Sequence, residues 1–163
     1  GFPKASHDGK TLVHIIDTLP RDEVFQAKDR DIFEFSIGIL HLQERQKIRL
    51  FIRRDTYGRY FSCLVYVPRE LFNSQLRNKM QNILMENLKG ESVEFETKFS
   101  ESILARINFI IRVGQTKEII FDPSSIEAKL ITAARVWSDD LLEALVEHFG
   151  EEVANFLFKK YVN

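Results

Sequence analysis

The sequence predicts an α+β domain in which an antiparallel sheet carries helices. Two observations point to this class. Apolar residues repeat every three or four positions over residues 29–43, every second position over 47–67, and every three or four again over 72–84. The two alternating runs are separated by Asp55-Thr56-Tyr57-Gly58, a turn with glycine at its fourth position, so they read as a hairpin. Composition is that of a chain that folds around its own core. Of 163 residues, 44% are hydrophobic and 29% charged, and a chain of this length can bury roughly 70% of its extended surface.

Each element follows from its own pattern. The first ten residues, with Pro3, Ser6, Asp8 and Gly9, read as a loop. Leu12, Ile15, Ile16 and Leu19 form one stripe of a short helix that Pro20 ends. Val24-Phe25-Gln26 reads as a short extended segment. Over 29–43, Ile32, Phe35, Ile39 and Leu42 make a helical stripe that Phe33, Ile37 and Leu40 widen. Residues 47–54 alternate, with Ile48, Leu50 and Ile52 on one face and Lys47, Arg49, Phe51 and Arg53 on the other. Residues 60–67 return as the second arm. Pro68 stops that arm and is expected to open the next helix, which carries Phe72, Leu76, Met80, Ile83 and Leu84 and is capped by Gly90. Val93, Phe95, Thr97 and Phe99 alternate with Glu94, Glu96 and Lys98. Ala105, Ile107, Phe109, Ile111 and Val113 give a further strand, and residues 114–117 a loop. Asp122-Pro123-Ser124-Ser125 opens a long helix, and Gly150 separates it from a last short one.

The first six elements after the opening helix spell βαββαβ, the split βαβ of ferredoxin-like domains. The strand over 104–113 would add to a sheet edge. The expected division is a linker and short helix (1–19), the sheet domain (20–121) and a helical segment leading onward (122–163). The chain starts Gly1-Phe2-Pro3 and stops within an amphipathic pattern, so it reads as a piece of a longer protein.

Several function classes are disfavoured. The seven glycines are never within seven residues of one another, so no dinucleotide fingerprint or phosphate loop exists. Ser6-His7-Asp8 is contiguous, whereas a catalytic relay is assembled from separate segments. The four histidines lack metal-ligand spacing, and Asp139, Asp140 and Glu143 read as a solvated helix face. Cys63 shares a face with Phe61, Val65 and Val67, which suggests an inert buried thiol. A single cysteine forms no internal disulfide, and no run of 18 apolar residues spans a membrane, so the expected location is cytoplasmic. No catalytic, metal or cofactor-binding residue is assigned.

One constellation stands out. The hairpin region carries Arg45, Lys47, Arg49, Arg53, Arg54, Arg59 and Arg69 against one interior acid, Asp55. Arg49, Phe51, Arg53, Tyr60 and Tyr66 are the candidate interface residues on the sheet. An exposed aromatic–arginine sheet could stack single-stranded RNA. The formal charge of −1 favours pairing of these arginines with Glu94, Glu96 or acids of another domain or subunit instead.

Several runs together resemble one family. They are Ser6-His7-Asp8-Gly9-Lys10, Pro20-Arg21-Asp22-Glu23-Val24-Phe25-Gln26, Gly38-Ile39-Leu40-His41-Leu42-Gln43-Glu44-Arg45 and Arg49-Leu50-Phe51-Ile52-Arg53-Arg54-Asp55. Ser62-Cys63-Leu64-Val65-Tyr66-Val67-Pro68-Arg69, Ser100-Glu101-Ser102 and Trp137 before Asp139-Asp140-Leu141 continue the pattern. It resembles the large bacterial NAD-specific glutamate dehydrogenases in the region before their catalytic domain. The resemblance implies an ACT-like fold and a parent enzyme that converts L-glutamate to 2-oxoglutarate and ammonium with reduction of NAD. The fragment would be catalytically silent, with NAD bound elsewhere in the parent. Its partners would be other domains or subunits of a homo-oligomer, with an amino-acid effector as the alternative. ACT domains often bind such effectors beside a glycine in the first strand–helix loop, which this reading places at Gln26-Ala27-Lys28-Asp29, without glycine.

Overall fold

The computed structural model describes residues 7–42, 47–100, 102–114 and 118–162, and the backbone alone at 7, 8, 22 and 159–162. In chain order the elements are α1 (His7–Thr18), α2 (Arg21–Gln26), α3 (Asp29–Leu42), β1 (Arg49–Arg54), β2 (Tyr60–Pro68), α4 (Ser74–Asn87), β3 (Ser92–Phe99), β4 (Leu104–Arg112), α5 (Pro123–Phe149) and α6 (Glu151–Val162). The four strands form one antiparallel sheet in the order β1-β2-β4-β3. The ferredoxin-like α+β class therefore holds, by a different route through the chain.

Residues 24–26 are not extended; they complete α2. Pro20 sits at the N-cap, and Glu23 falls in the first turn. The strand over 104–112 is not at an edge. It lies between β2 and β3, filling the central slot that a first strand takes in βαββαβ. The helix after it, α5, then packs beside α4 and against β1, as a first helix would. The domain is thus ββαββα, a βαββαβ sheet whose first strand–helix pair comes last in the chain. The loop that follows this strand carries Gly114 as its second residue, so the strand–helix loop does contain a glycine. A Cβ at Gly114 would lie 2.3 Å from Glu91 Oε1.

Two other boundaries differ. Pro68 ends β2 without opening a helix; α4 begins at Ser74, where Asn73 accepts the Leu76 N–H at 2.9 Å. At its other end Lys89, not Gly90, takes the left-handed conformation, with φ 55°. Gly90 N–H reaches back to Met85 O at 2.9 Å, which closes a Schellman turn. A Cβ on Gly90 would lie 2.6 Å from Ile111 Cγ2, so glycine is needed there for close approach. The expected loop over the first ten residues gives way to α1 from His7. Its first six residues, and 115–117 of the loop expected at 114–117, lie outside the described residues.

The sheet is packed on both faces. Phe61, Cys63, Val65, Val67, Ala105, Ile107, Phe109 and Ile111 meet Leu76, Met80, Leu84 and Leu88 around α4 and Ile126, Leu130 and Ala134 of α5. On the opposite face Phe51, Leu64, Tyr66 and Leu104 pack against Ile15, Leu19, Ile39 and Leu42. Strand β3 is the less covered edge, where Phe95 and Phe99 stay half-exposed under Arg77 and Arg69. At the other edge, Glu127 of α5 accepts the Leu50 N–H at 2.8 Å, occupying a backbone donor that would otherwise invite another strand.

Candidate interdomain interface

The alternation of β1 and β2 decides which side chains meet α1, α2 and α3. Apolar Ile48, Leu50 and Ile52 belong with α4 and α5, so Phe51 and Arg53 must face the other way. Arg53 meets Glu23 of α2 in a two-pronged pair, Nε to Oε2 at 2.9 Å and Nη2 to Oε1 at 3.0 Å. Their side chains are only 7% and 4% exposed. The hydrogen bond that Arg53 donates to Glu23 holds the Arg53 pKa above its ordinary value in spite of burial. Such a pair tolerates burial because both N–H donors and both carboxylate oxygens are satisfied together.

Phe51 is held between two rings. Phe35 of α3 lies 5.0 Å away between centroids, and Tyr66 lies 6.0 Å away edge-on. Helix α3 reaches this depth because position 38 is glycine; a Cβ there would sit 2.7 Å from Phe51 Cε1. Tyr60 donates its hydroxyl hydrogen bond to Gln26 Oε1 of α2. Tyr66 is buried beside Arg106; burial raises its phenol pKa, and the guanidinium opposes part of that rise. Arg106 in turn donates to Thr18 O at the end of α1.

Of the five residues expected at an interface, Phe51, Arg53, Tyr60 and Tyr66 all contact the helices over 7–42. Arg49 goes elsewhere: its Nη1 lies 3.2 Å from Glu127 Oε1 on α5, and its guanidinium also approaches the Phe51 ring at 5.9 Å. Phe51 and Tyr66 are buried in packing against the helices over 7–42. Arg45 lies outside the described residues, and the Arg54 guanidinium lies over the Phe61 ring at 5.6 Å. Arg59 pairs with Asp55 at 3.0 Å, and Arg69 donates to Ser100 O at 3.2 Å.

Sequence reasoning missed Glu23, Gly38, Glu127 and Arg106. Glu23 had a signal, since a proline followed by acids starts helices. The other three are set by contacts between distant segments. Cys63 is fully buried, and burial first, with the nearby Glu23 charge second, pushes its pKa far above the ordinary thiol range. Among the described residues, no group of three or more His, Cys, Asp or Glu side chains could hold a metal ion. No described helix is long and apolar enough to cross a membrane. Among the described residues the sheet is wholly antiparallel, so it holds no parallel βαβ unit of the kind that carries a doubly wound dinucleotide site.

Comparison with known proteins divides the chain along the same line as the packing. Residues 1–45 match the helical motif 1 of glutamate dehydrogenase, and residues 49–138 match its ACT2 domain. The NAD-specific glutamate dehydrogenase of Halomonas elongata is 45% identical over 161 residues, covering 99% of this chain and 10% of that protein. The enzyme of the same name from Pseudomonas aeruginosa is 44% identical over 151 residues, 93% of this chain and 9% of the relative. That of Mycobacterium tuberculosis is 31% identical over 151 residues, 85% and 9% respectively. The chain spans about a tenth of the length of the curated relatives it matches. It belongs to the glutamate dehydrogenase family and carries that family's helical motif 1 and ACT2 domain.

Proposed function

We propose that this chain is a non-catalytic regulatory and assembly part of an NAD-specific glutamate dehydrogenase. The parent would oxidise L-glutamate to 2-oxoglutarate and ammonium in the cytoplasm, with NAD bound by other domains. The observation that carries this reading is how the sheet is used. The face that bears Arg53, Phe51, Tyr60 and Tyr66 is committed to holding the preceding helices. Beyond the sheet, α5 and α6 pack together and leave Phe149, Val153 and Phe156 exposed, an apolar surface suited to neighbouring domains or subunits of a homo-oligomer.

The test is the pair of substitutions Arg49→Glu and Arg53→Glu in the enzyme that contains this chain. Sedimentation velocity should show smaller species, because position 53 would then face Glu23 with like charge. An unchanged oligomer would overturn the assembly role. The alternative reading is an amino-acid effector bound by this domain. Melting the chain against each of the twenty amino acids tests it, since a ligand of the folded form raises Tm.

A further inference from the structure

The two edges of the sheet differ. At β1 the Glu127 carboxylate occupies the Leu50 N–H, whereas among the described residues β3 pairs with β4 alone. In an antiparallel ladder a residue turns its N–H and C=O to the same side, and successive residues alternate. Leu50 N–H points away from β2, and the registers carry that alternation across the sheet. Val65 exchanges hydrogen bonds with Ile107, and Glu94, Glu96 and Lys98 are the β3 residues that bond to β4. The bond from Arg69 N–H to Ile103 O at 2.9 Å extends the same alternation. Val93, Phe95, Thr97 and Phe99 therefore direct their backbone groups outward, and among the described residues no backbone group meets them.

This edge is complementary to itself. Laid antiparallel on a second β3 about a two-fold axis at Thr97, it sets Phe95 opposite Phe99 and Glu96 opposite Lys98, each pair occurring twice. Phe95, Thr97 and Phe99 would exchange the backbone hydrogen bonds. Glu96 and Lys98 would fall in the intervening non-bonded pairs, where facing side chains lie closest. The neighbouring registers fail on charge. A shift of two residues puts Glu96 opposite Glu96 in one direction and Lys98 opposite Lys98 in the other. Within the chain Lys98 faces Arg106 and Glu96 faces Asn108, so neither finds its complement on β4. Phe95 and Phe99, half-exposed on the other face, would gain an aromatic neighbour each.

We propose that β3 pairs with β3 of a second copy in this register, joining two four-stranded sheets into one of eight strands. The proposal rests on the assembly reading and deepens it by naming the partner and the surface. At β1 a backbone donor is taken by Glu127 and α5 packs against the strand, so pairing stops at a closed two-fold dimer.

The test is sedimentation equilibrium of the chain over a range of concentrations, with circular dichroism to confirm that each variant is folded. The weight-average mass of the unsubstituted chain should rise toward twice that of the monomer. Lys98→Glu leaves only acids on that face of β3, so no register offers a complement and the variant should stay monomeric. Glu96→Lys sets like charges in both pairs and should associate at least about tenfold more weakly. Both positions are exposed, so neither change disturbs the core. Mixed in equal amounts, the two variants restore opposite charges in both pairs and should associate with each other. A chain still monomeric at about 1 mM, a Lys98→Glu variant that pairs like the unsubstituted chain, or a mixture that does not associate would overturn the proposal. Such a failure would leave the assembly reading standing, because that reading is tested on the oligomer of the parent enzyme.

Discussion

Removing Glu23 while leaving Arg53 in place isolates the contact that holds the N-terminal helices on the sheet. In Glu23→Leu, two guanidinium N–H donors and a positive charge stay in a site where the Arg53 side chain is 7% exposed, with no carboxylate to receive them. Breaking a buried pair in this way costs about 3–5 kcal/mol, which is a large share of a typical domain's total stability of about 5–15 kcal/mol. Arg53→Met should cost a similar amount by orphaning Glu23. The double variant removes both charges and should recover to within about 1 kcal/mol of the parent chain, since a well-packed apolar pair can replace a buried ion pair. Urea unfolding followed by two signals measures this. Far-UV circular dichroism sees all helices, whereas the single tryptophan, Trp137 on α5, packs with the core on the opposite face of the sheet. In the single variants the dichroism midpoint should fall before the Trp137 midpoint, because docking of α1–α3 weakens first. Additive single and double losses, or a Glu23→Leu cost under about 1 kcal/mol, would refute the reasoning.

Other outcomes follow from local geometry. Lys89→Gly should raise stability by about 0.5–1 kcal/mol, since glycine takes φ 55° without a Cβ penalty; chemical denaturation reads it directly, and a loss would contradict the cap. Ser36 is fully buried on α3 with its hydroxyl unpartnered among the described residues, so Ser36→Ala should be neutral or stabilising by up to about 1 kcal/mol in the same assay. The raised pKa of Cys63 fixes the sign of an alkaline effect. The folded state holds the thiol protonated, so this stabilisation is complete below the unfolded thiol pKa of about 8.5. It is lost as pH rises toward the higher folded pKa. Cys63→Val should flatten the decline, and native Cys63 should resist iodoacetamide until the chain is unfolded.

The chain's own order determined most of the local structure. Period-two alternation over 47–67 placed Arg49, Phe51 and Arg53 on one side and Ile48, Leu50 and Ile52 on the other, because successive side chains of a strand must point to opposite faces. Period-3.6 stripes marked α3, α4 and the long α5. The turn at Gly58, with φ 70°, and the Asp122 cap were readable because they need particular residues at particular dihedrals.

Tertiary structure decided what lies beyond one element's reach. No periodicity says that β4 slides between β2 and β3, since strand order depends on which edges find partners after collapse. The segment over 24–26 reads as extended in the sequence because three residues carry no period; it is the end of α2, whose Glu23 reaches Arg53 thirty residues later. The interface residues were legible as a basic and aromatic face, yet their partners were not. Charge and ring contacts act across space, so only the folded chain could bring Glu23 and Phe35 to Arg53 and Phe51, or oppose Lys98 to Arg106.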